Sequence, residues 1–368
     1  MRKRPLMMVP GPVDCPSEVL KVLGEQPLYP RNPQFIAIFR RVLQGLREVF
    51  GAPDGQAVLM NGGGLLAMEV ACANFMEPDT HVVILNSGFF GDQLLRVAKC
   101  YSNNVTMLEA QFGEHVALDK VRNRLDSSEC QVLAVSHVDT ESGVKADLQA
   151  LAKIAQEKGA LTIVDAVASV GGEHIKQTDW GVDVCFASTQ KALACPPGLA
   201  LLMLGPRALQ RLNSRRTPPA MVYQNLQLWI DSMQSYEEGN PRLVSTQATN
   251  LIAALDVALK LIRQEGLEQR IQRHNQIAAH IREGVTALGL ELVPKLSEYY
   301  ANTVTTMYSP AKILASSIVE QMLKNNVQIA TGLGPHREEL LRIGHMGTTT
   351  LTDAATTLAA LKRVLEEI

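Results

Sequence analysis

Lys191 lies just beyond one apolar run, in VDVCFASTQKAL (182–193), and Asp165 near the end of another, LTIVDAV (161–167). Each pattern is that of a buried strand ending in a tight loop, which sets both side chains at the carboxyl edge of a sheet. An amine beside so much apolar sequence loses its proton more readily, and a deprotonated amine is a nucleophile. A lysine to take an aldehyde and an acid to keep a pyridine ring protonated are the two protein groups that pyridoxal phosphate chemistry requires. An acid ending a buried strand also serves as a plain helix cap, so other residues must carry the reading.

Further polar and glycine-rich points follow apolar runs. QAVLMNGGGLLAMEVACANF (56–75) passes from a short strand through Gly62, Gly63 and Gly64 into an apolar helix. This is not a GxGxxG fingerprint. It still leaves backbone N–H groups bare at a helix start, where a phosphate can sit, although a steric turn explains the triplet as well. HVVILNSGFFGDQLLRVA (81–98) repeats the theme with Phe89 and Phe90 at the strand's end. Such rings are core residues or lie flat on a cofactor, where stacking contributes about 0.5–1.5 kcal/mol beyond burial. CQVLAVSHVDTESGV (130–144) is a strand followed by a polar loop with His137, Asp139, Thr140 and Ser142. Arg31 in the loop YPRNPQF (29–35) is a solvated charge or a ligand-facing cation, and the same two readings apply to Arg342 in RIGHMG (342–347).

The elements that position these residues follow from length and periodicity. A chain of 368 residues predicts two domains, or one large domain with an appendage. Composition is ordinary for a globular protein, 46% hydrophobic and 20% charged, and the formal charge of −2 recommends neither nucleic acid nor an anionic membrane as partner. The opening MRKRPLMMVPGP has too short an apolar run for a signal peptide and nothing later approaches a membrane span, so a cytoplasmic location is expected. Six cysteines without CxxC pairs read as reduced thiols, and no metal site is expected. Helical periodicity over 36–50, near 117–125 and over 147–159 alternates with strands, including one near 104–109 and one in PPGLALLML (196–204). That alternation argues a parallel α/β sheet. Residues 211–245 read as an irregular surface excursion. The amphipathic stretch 248–289, interrupted near Gly266, reads as the bridge to a second domain. Short strands (290–293, 303–308, 327–331) and helices (311–325, 352–367) complete an α+β tail. The expected organisation is a large α/β domain over 1–250 and a small α+β domain over 251–368, with about the first 15 residues packing on the small domain or on a partner subunit.

In order and spacing, VPGPV (9–13), PRNPQF (30–35), the glycine turn, SHVDTESGV (136–144), IVDAVASVGG (163–172), STQKAL–PPGLA (188–200) and LRIGHMG (341–347) are similar to one family. Over nearly its whole length the chain resembles the class V, fold type I, pyridoxal-phosphate-dependent aminotransferases, in the alanine–glyoxylate aminotransferase branch. The resemblance implies a mainly parallel seven-stranded sheet domain, a smaller C-terminal domain, and a homodimer with shared active sites. It also implies a role for each matching position. Lys191 would hold pyridoxal 5′-phosphate as a Schiff base and then carry the substrate's proton; Asp165 would pair with the ring nitrogen. Phe90 would cover one ring face and Val167 the other. Gly63, Gly64 and the backbone of Leu65 would cradle the phosphate, with Gln190 beside it and Thr140 at the ring edge. Arg242 and Ser245 match positions that reach the phosphate from the other subunit, although their flanking residues differ. Arg342 would grip the substrate carboxylate with a planar donor pair. Arg31 belongs to a loop that selects the substrate. His137 either contacts the ring or buttresses its loop, and His345 supports the arginine strand.

The activity so implied is a double-displacement transamination from alanine, serine or a similar donor to glyoxylate or pyruvate. Relatives that use free pyridoxamine with pyruvate are a second reading. A lyase or desulfurase of the same fold is a third, from another class. It would want a mobile-loop cysteine and a ring-stacked histidine, where this chain has Phe90.

Overall fold

The structure, a computed structural model, describes residues 4–127 and 129–367. Of the opening stretch expected to pack on the small domain or a partner, residues 1–3 lie outside the described residues. In chain order, β1 (Leu6–Met7), α1 (Ser17–Leu23) and α2 (Pro33–Val49) precede a sheet domain. Its elements are β2 (Gln56–Asn61), α3 (Gly64–Phe75), β3 (His81–Asn86), α4 (Phe89–Ala98), β4 (Asn104–Glu109), α5 (Leu118–Asp126), β5 (Val132–Ser136), α6 (Leu148–Glu157) and β6 (Leu161–Asp165). They continue with α7 (Gln177–Trp180), β7 (Val184–Ser188), β8 (Leu199–Leu204), α8 (Pro206–Asn213) and α9 (Leu226–Glu238). The tail holds α10 (Thr249–Glu265), α11 (Leu267–Ala287), β9 (Val304–Tyr308), α12 (Ala315–Lys324), β10 (Val327–Gln328), β11 (Ala330–Thr331), β12 (Leu340–Gly344) and α13 (Leu351–Glu367).

Seven strands form one sheet in the order β2-β8-β7-β6-β5-β3-β4. β8 runs antiparallel to both neighbours and the other pairings are parallel. Strands β5, β6, β7 and β8 are buried at every position. That is why they read as unbroken apolar runs rather than alternating ones: helices cover both faces. The parallel strands end together, so the loops after β2, β3, β5, β6 and β7 meet along one edge. A second, antiparallel sheet has the order β11-β12-β9, and β1 pairs in parallel with β10. Leu6 and Met8 thereby join a separate smaller core with Ile281, Met307, Ile343 and Leu361.

The long helical stretch breaks where Gly266 takes φ +85° between α10 and α11. α10 buries its apolar side in the larger core with Ile252, Leu255 and Leu259, while α11 gives Ile277 and Ile281 to the smaller one.

Three readings of local structure are corrected. The segment 211–245 is not irregular throughout, since α9 occupies its centre. Asn225 Oδ1 caps α9 by accepting from Gln227 N at 3.0 Å, and Gly239 ends it in the left-handed region. Trp229, Met233 and Tyr236 are buried, and Tyr236 stacks on Phe39 of α2 with centroids 3.9 Å apart. Flanking Arg, Asn and Gln residues obscure this helical spacing in the sequence. Residues 290–293 form no strand; Leu292 makes one isolated bridge to Met307. The helix expected over 311–325 starts only at Ala315, after a turn in which Ile313 N donates to Pro310 O.

Candidate active site

Lys191 lies three positions beyond the end of β7, in the loop that returns along β8. Burial lowers its amine to about 8; the nearby Arg342 charge adds to the fall and the Asp165 carboxylate opposes it. Asp165 ends the adjacent strand β6, opposite Phe186, and is buried. Its Oδ1 accepts from Val167 N at 2.9 Å, while Oδ2 lies 3.5 Å from Ser136 Oγ. Burial pushes the carboxyl up to about 6, against the Val167 N–H and the lysine charge, with Asp139 raising it further. Each group is thus displaced toward its neutral form, as desolvation requires.

The loop after β5 is organised by Asp139, which is itself buried. Its Oδ1 accepts from Glu141 N (2.8 Å) and Ser142 N (3.1 Å), and its Oδ2 accepts from Phe90 N (2.8 Å) at the start of α4. This ties Thr140 and Phe90 into one rigid corner. Arg342, on the central strand of the small sheet, joins that corner: Nε donates to Thr331 O (2.6 Å) and Nη1 to Thr140 O (3.1 Å). Burial pulls the guanidinium down to about 10, with Asp139 and Glu141 opposing, so it stays charged at neutral pH. A cavity of about 440 Å³ is lined by Lys191, Arg342, Phe90 and Thr140 together with the amino-terminal residues 9–12.

The glycine turn stands beside the same edge. α3 starts at Gly64 with Gly63 as an N-cap that offers no side-chain acceptor, leaving the first N–H groups of the helix bare. A Cβ built on Gly64 would lie 3.1 Å from Val167 Cγ2 and 3.3 Å from Ser188 Oγ, whereas one on Gly63 would meet nothing within 4 Å. Gly64, Val167 and Ser188 therefore form one wall, and Gly63 faces open space. Ser188 Oγ and Gln190 Oε1 are buried without a hydrogen-bond partner among the described residues. Leu65 exposes its side chain, so its backbone is the part that belongs to the turn.

Of the residues singled out from sequence, Asp165, Val167, Gly63, Gly64, Leu65 and Gln190 do not line this cavity but stand at the same sheet edge, whereas Arg31, Arg242 and Ser245 lie away from it in the single chain. Arg31 is exposed, donating from Nε to Pro241 O (3.3 Å) and from Nη1 to Tyr29 Oη (3.1 Å). Arg242 is exposed, and its backbone N donates to Ser235 Oγ at 2.8 Å. Ser245 neighbours Tyr223, whose hydroxyl donates to Asn61 O (2.8 Å) at the foot of the glycine turn. His137 lines a different cleft of about 810 Å³ with Lys145, Glu173 and Asn302, which neither Lys191 nor Arg342 lines. Its backbone braces the site instead, His137 N donating to Asp165 O at 2.9 Å. His345 is buried against Thr305 Oγ1 at 2.9 Å, one strand position past Gly344. Burial holds both rings neutral, each with a pKa of about 3.

Sequence reasoning passed over two contributors. In sequence Asp139 is one polar loop residue among several; the three N–H bonds it accepts make it the loop's organiser. The stretch 9–12 carries no titratable side chain, and only the folded chain shows that it walls the lysine's cavity.

A family model described as aminotransferase class-V matches residues 21–348. The chain is 30% identical to alanine–glyoxylate aminotransferase 1 of Saccharomyces cerevisiae, over 93% of this chain and 92% of that protein. Its fold superposes on alanine–glyoxylate aminotransferase from Nostoc sp. with a TM-score of 0.93 and 30% identity, covering 99% and 96% of the two chains. Pyridoxamine–pyruvate aminotransferase from Mesorhizobium loti is similar to the same degree, with a TM-score of 0.93, 28% identity, and 99% and 93% coverage.

Proposed function

The chain belongs to the class-V aminotransferases, and from that premise we propose that it moves an amino group from a small donor such as alanine or serine to glyoxylate or pyruvate by double displacement. The observation that carries this reading is the shared cavity of about 440 Å³, in which a lysine with a depressed pKa and a backbone-anchored arginine line the same walls. The fold family depends on pyridoxal phosphate, and this chain's residues fit that group. Bare N–H groups at α3 suit a phosphate, the orphaned Ser188 and Gln190 oxygens lack a partner, and Asp165 Oδ2, which accepts only the long 3.5 Å bond from Ser136 Oγ, keeps a lone pair for a ring N–H. When bound, pyridoxal phosphate supplies an aldehyde and a protonated ring that withdraws electrons from the substrate's α-carbon.

The protein's own part follows from position. Arg342, held by two carbonyls, keeps a guanidinium edge for the substrate carboxylate and so orients the α-carbon. Lys191 Nζ, with a pKa of about 8, would accept the proton leaving the substrate's α-carbon and deliver it two atoms along, at the carbon that the coenzyme's aldehyde supplies. Asp165 would hold the pyridine ring's nitrogen protonated, and a cation there would stabilise the carboxylate that burial alone disfavours. Phe90 and Val167 would flank a planar ring and keep water away from it.

Free pyridoxamine as donor is the second reading, favoured by the likeness to the Mesorhizobium enzyme. A donor of that kind needs no phosphate cradle, yet the first turn of α3 carries no acid to repel a phosphate. One experiment separates the two: a panel of amino acids and pyridoxamine against glyoxylate and pyruvate, following the coenzyme's absorbance in each half-reaction. Turnover of alanine or serine with glyoxylate supports the first reading, and turnover of pyridoxamine alone replaces it with the second.

A further inference from the structure

The segment from Met8 to Val13 forms one wall of the lysine's cavity and is pinned at both ends. Met8 N donates to Gln328 O (2.8 Å), Met8 O accepts from Gly344 N (2.8 Å), and Val13 N donates to Gln190 O (3.0 Å). Between those pins Lys191 Nζ donates to the carbonyl oxygen of Pro10. Gly11 takes φ +100°, and a Cβ built there would lie 2.5 Å from Lys191 Cδ and 2.9 Å from both Cε and Nζ. The positive φ favours glycine at this point, and a side chain here would displace the end of Lys191.

We propose that the Pro10 carbonyl is the resting acceptor of the Lys191 amine whenever that amine is not covalently engaged, and that Gly11 is a positioning residue that keeps the lysine's path open. The inference rests on the reading of Lys191 as the covalent residue. A released lysine side chain is long and has many rotamers. One acceptor on a strap fixed to Gln190, Gln328 and Gly344 holds it in the cavity it shares with Arg342. A carbonyl also favours the ammonium form, so this contact opposes the effect of burial. The other charged groups facing Nζ are Asp165 on β6 and Arg342 on β12; Val9, Pro10, Gly11 and Pro12 bring none.

The test uses the full-length chain freed of coenzyme. It is treated with pyridoxal phosphate over a range of pH, trapped with borohydride, and the peptide containing Lys191 is weighed. The initial labelling rate gives the pKa of the free amine, expected near 8 in the wild type. Gly11→Ala displaces the lysine from the carbonyl, so that pKa falls by about one unit. Because alanine at a positive φ strains the strap, a second protein replaces the Pro10–Gly11 amide by its isosteric ester, joined through a synthetic amino-terminal peptide. The ester weakens the carbonyl as acceptor without adding bulk, although it also removes the Gly11 N–H bond to Val9 O. A smaller fall in the same direction is expected, and it decides the matter if the alanine variant does not fold. Unmoved or raised values overturn the inference. Wild-type protein that carries no label at Lys191 overturns the underlying reading itself, which is a different result from labelled wild type with unmoved variants.

Discussion

Burial acts on Lys191 and Asp165 in opposite chemical directions, drawing the amine down to about 8 and pushing the carboxyl up to about 6. The folded-state pKa of Asp165 lies above its unfolded value of 3.8, so its favourable contribution is present below about pH 4 and lost as pH rises through about 6. Asp165→Asn should therefore stabilise the coenzyme-free protein relative to wild type, by up to about 3 kcal/mol more above pH 7 than at pH 4. Urea unfolding of both proteins across that range measures the gap, and a gap independent of pH would show that the buried charge costs nothing. The same substitution should abolish the support of the ring proton and lower turnover. Lys191→Ala should bind pyridoxal phosphate non-covalently and lose turnover by roughly 10³-fold, the scale of a positioned acid–base group. Turnover at the wild-type rate in a half-reaction assay would defeat the assignment. Arg342→Ala should raise the KM for carboxylate substrates by roughly 30-fold, as losing a charge-assisted pair does, with little change in coenzyme affinity. Steady-state kinetics beside a coenzyme titration would expose an unchanged KM, which removes Arg342 from the site.

At the scale of elements, the start of α3 serves two purposes that pull apart. An acid at the N-cap suits a helix, because it meets bare N–H groups and the positive end of the helix dipole. Gly63 has φ −119° and nothing within 4 Å of a built Cβ, so a side chain fits there. Gly63→Asp should raise the unfolding stability of the coenzyme-free protein by about 0.5 kcal/mol. It should also weaken pyridoxal phosphate at least about tenfold, since one like-charge contact near a protein surface exceeds the 1.4 kcal/mol required. Thermal unfolding and equilibrium titration read the two effects separately; tighter coenzyme binding in the variant would remove the phosphate from this turn. The small sheet plays a comparable part for Arg342. Pairing of β12 with both β9 and β11 fixes its register, and the side chain then reaches Thr331 O and Thr140 O across two parts of the chain.

For the whole molecule, the arrangement of Arg31, Arg242 and Ser245 away from the lysine's cavity matters most. Two of these are exposed in the single chain, on the side of the 241–245 segment. In the proposed shared-site dimer, one copy's segment would reach the other copy's phosphate turn. Mixing inactive Lys191→Ala with an inactive Arg242→Ala variant should then restore about a quarter of wild-type activity, because half the dimers are mixed and each has one intact site. Sedimentation tests for the dimer and the mixed assay reads the sharing. A mixture as inactive as its parts would place Arg242 in its own chain's site, and an Arg242→Ala variant active by itself would place it outside any site.

Features that depend on neighbours along the chain are legible without coordinates. Unbroken apolar runs marked β5 to β8, their polar ends marked Asp165, Thr140 and Lys191, and the glycine triplet marked the bare start of α3, because burial and backbone freedom are written locally. The order of residues also carried the resemblance to the family. α9 was not legible, since its apolar side is recognised only once Tyr236 meets Phe39 and Trp229 meets the loop at Tyr223. Tertiary structure alone decided that Arg342 meets Thr140, residues far apart in sequence. It alone laid Pro10 and Gly11 against Lys191 and left His137 facing another cleft. Those contacts depend on how two sheets and an amino-terminal strap close on one another, and no periodicity within a single segment encodes a distance between segments.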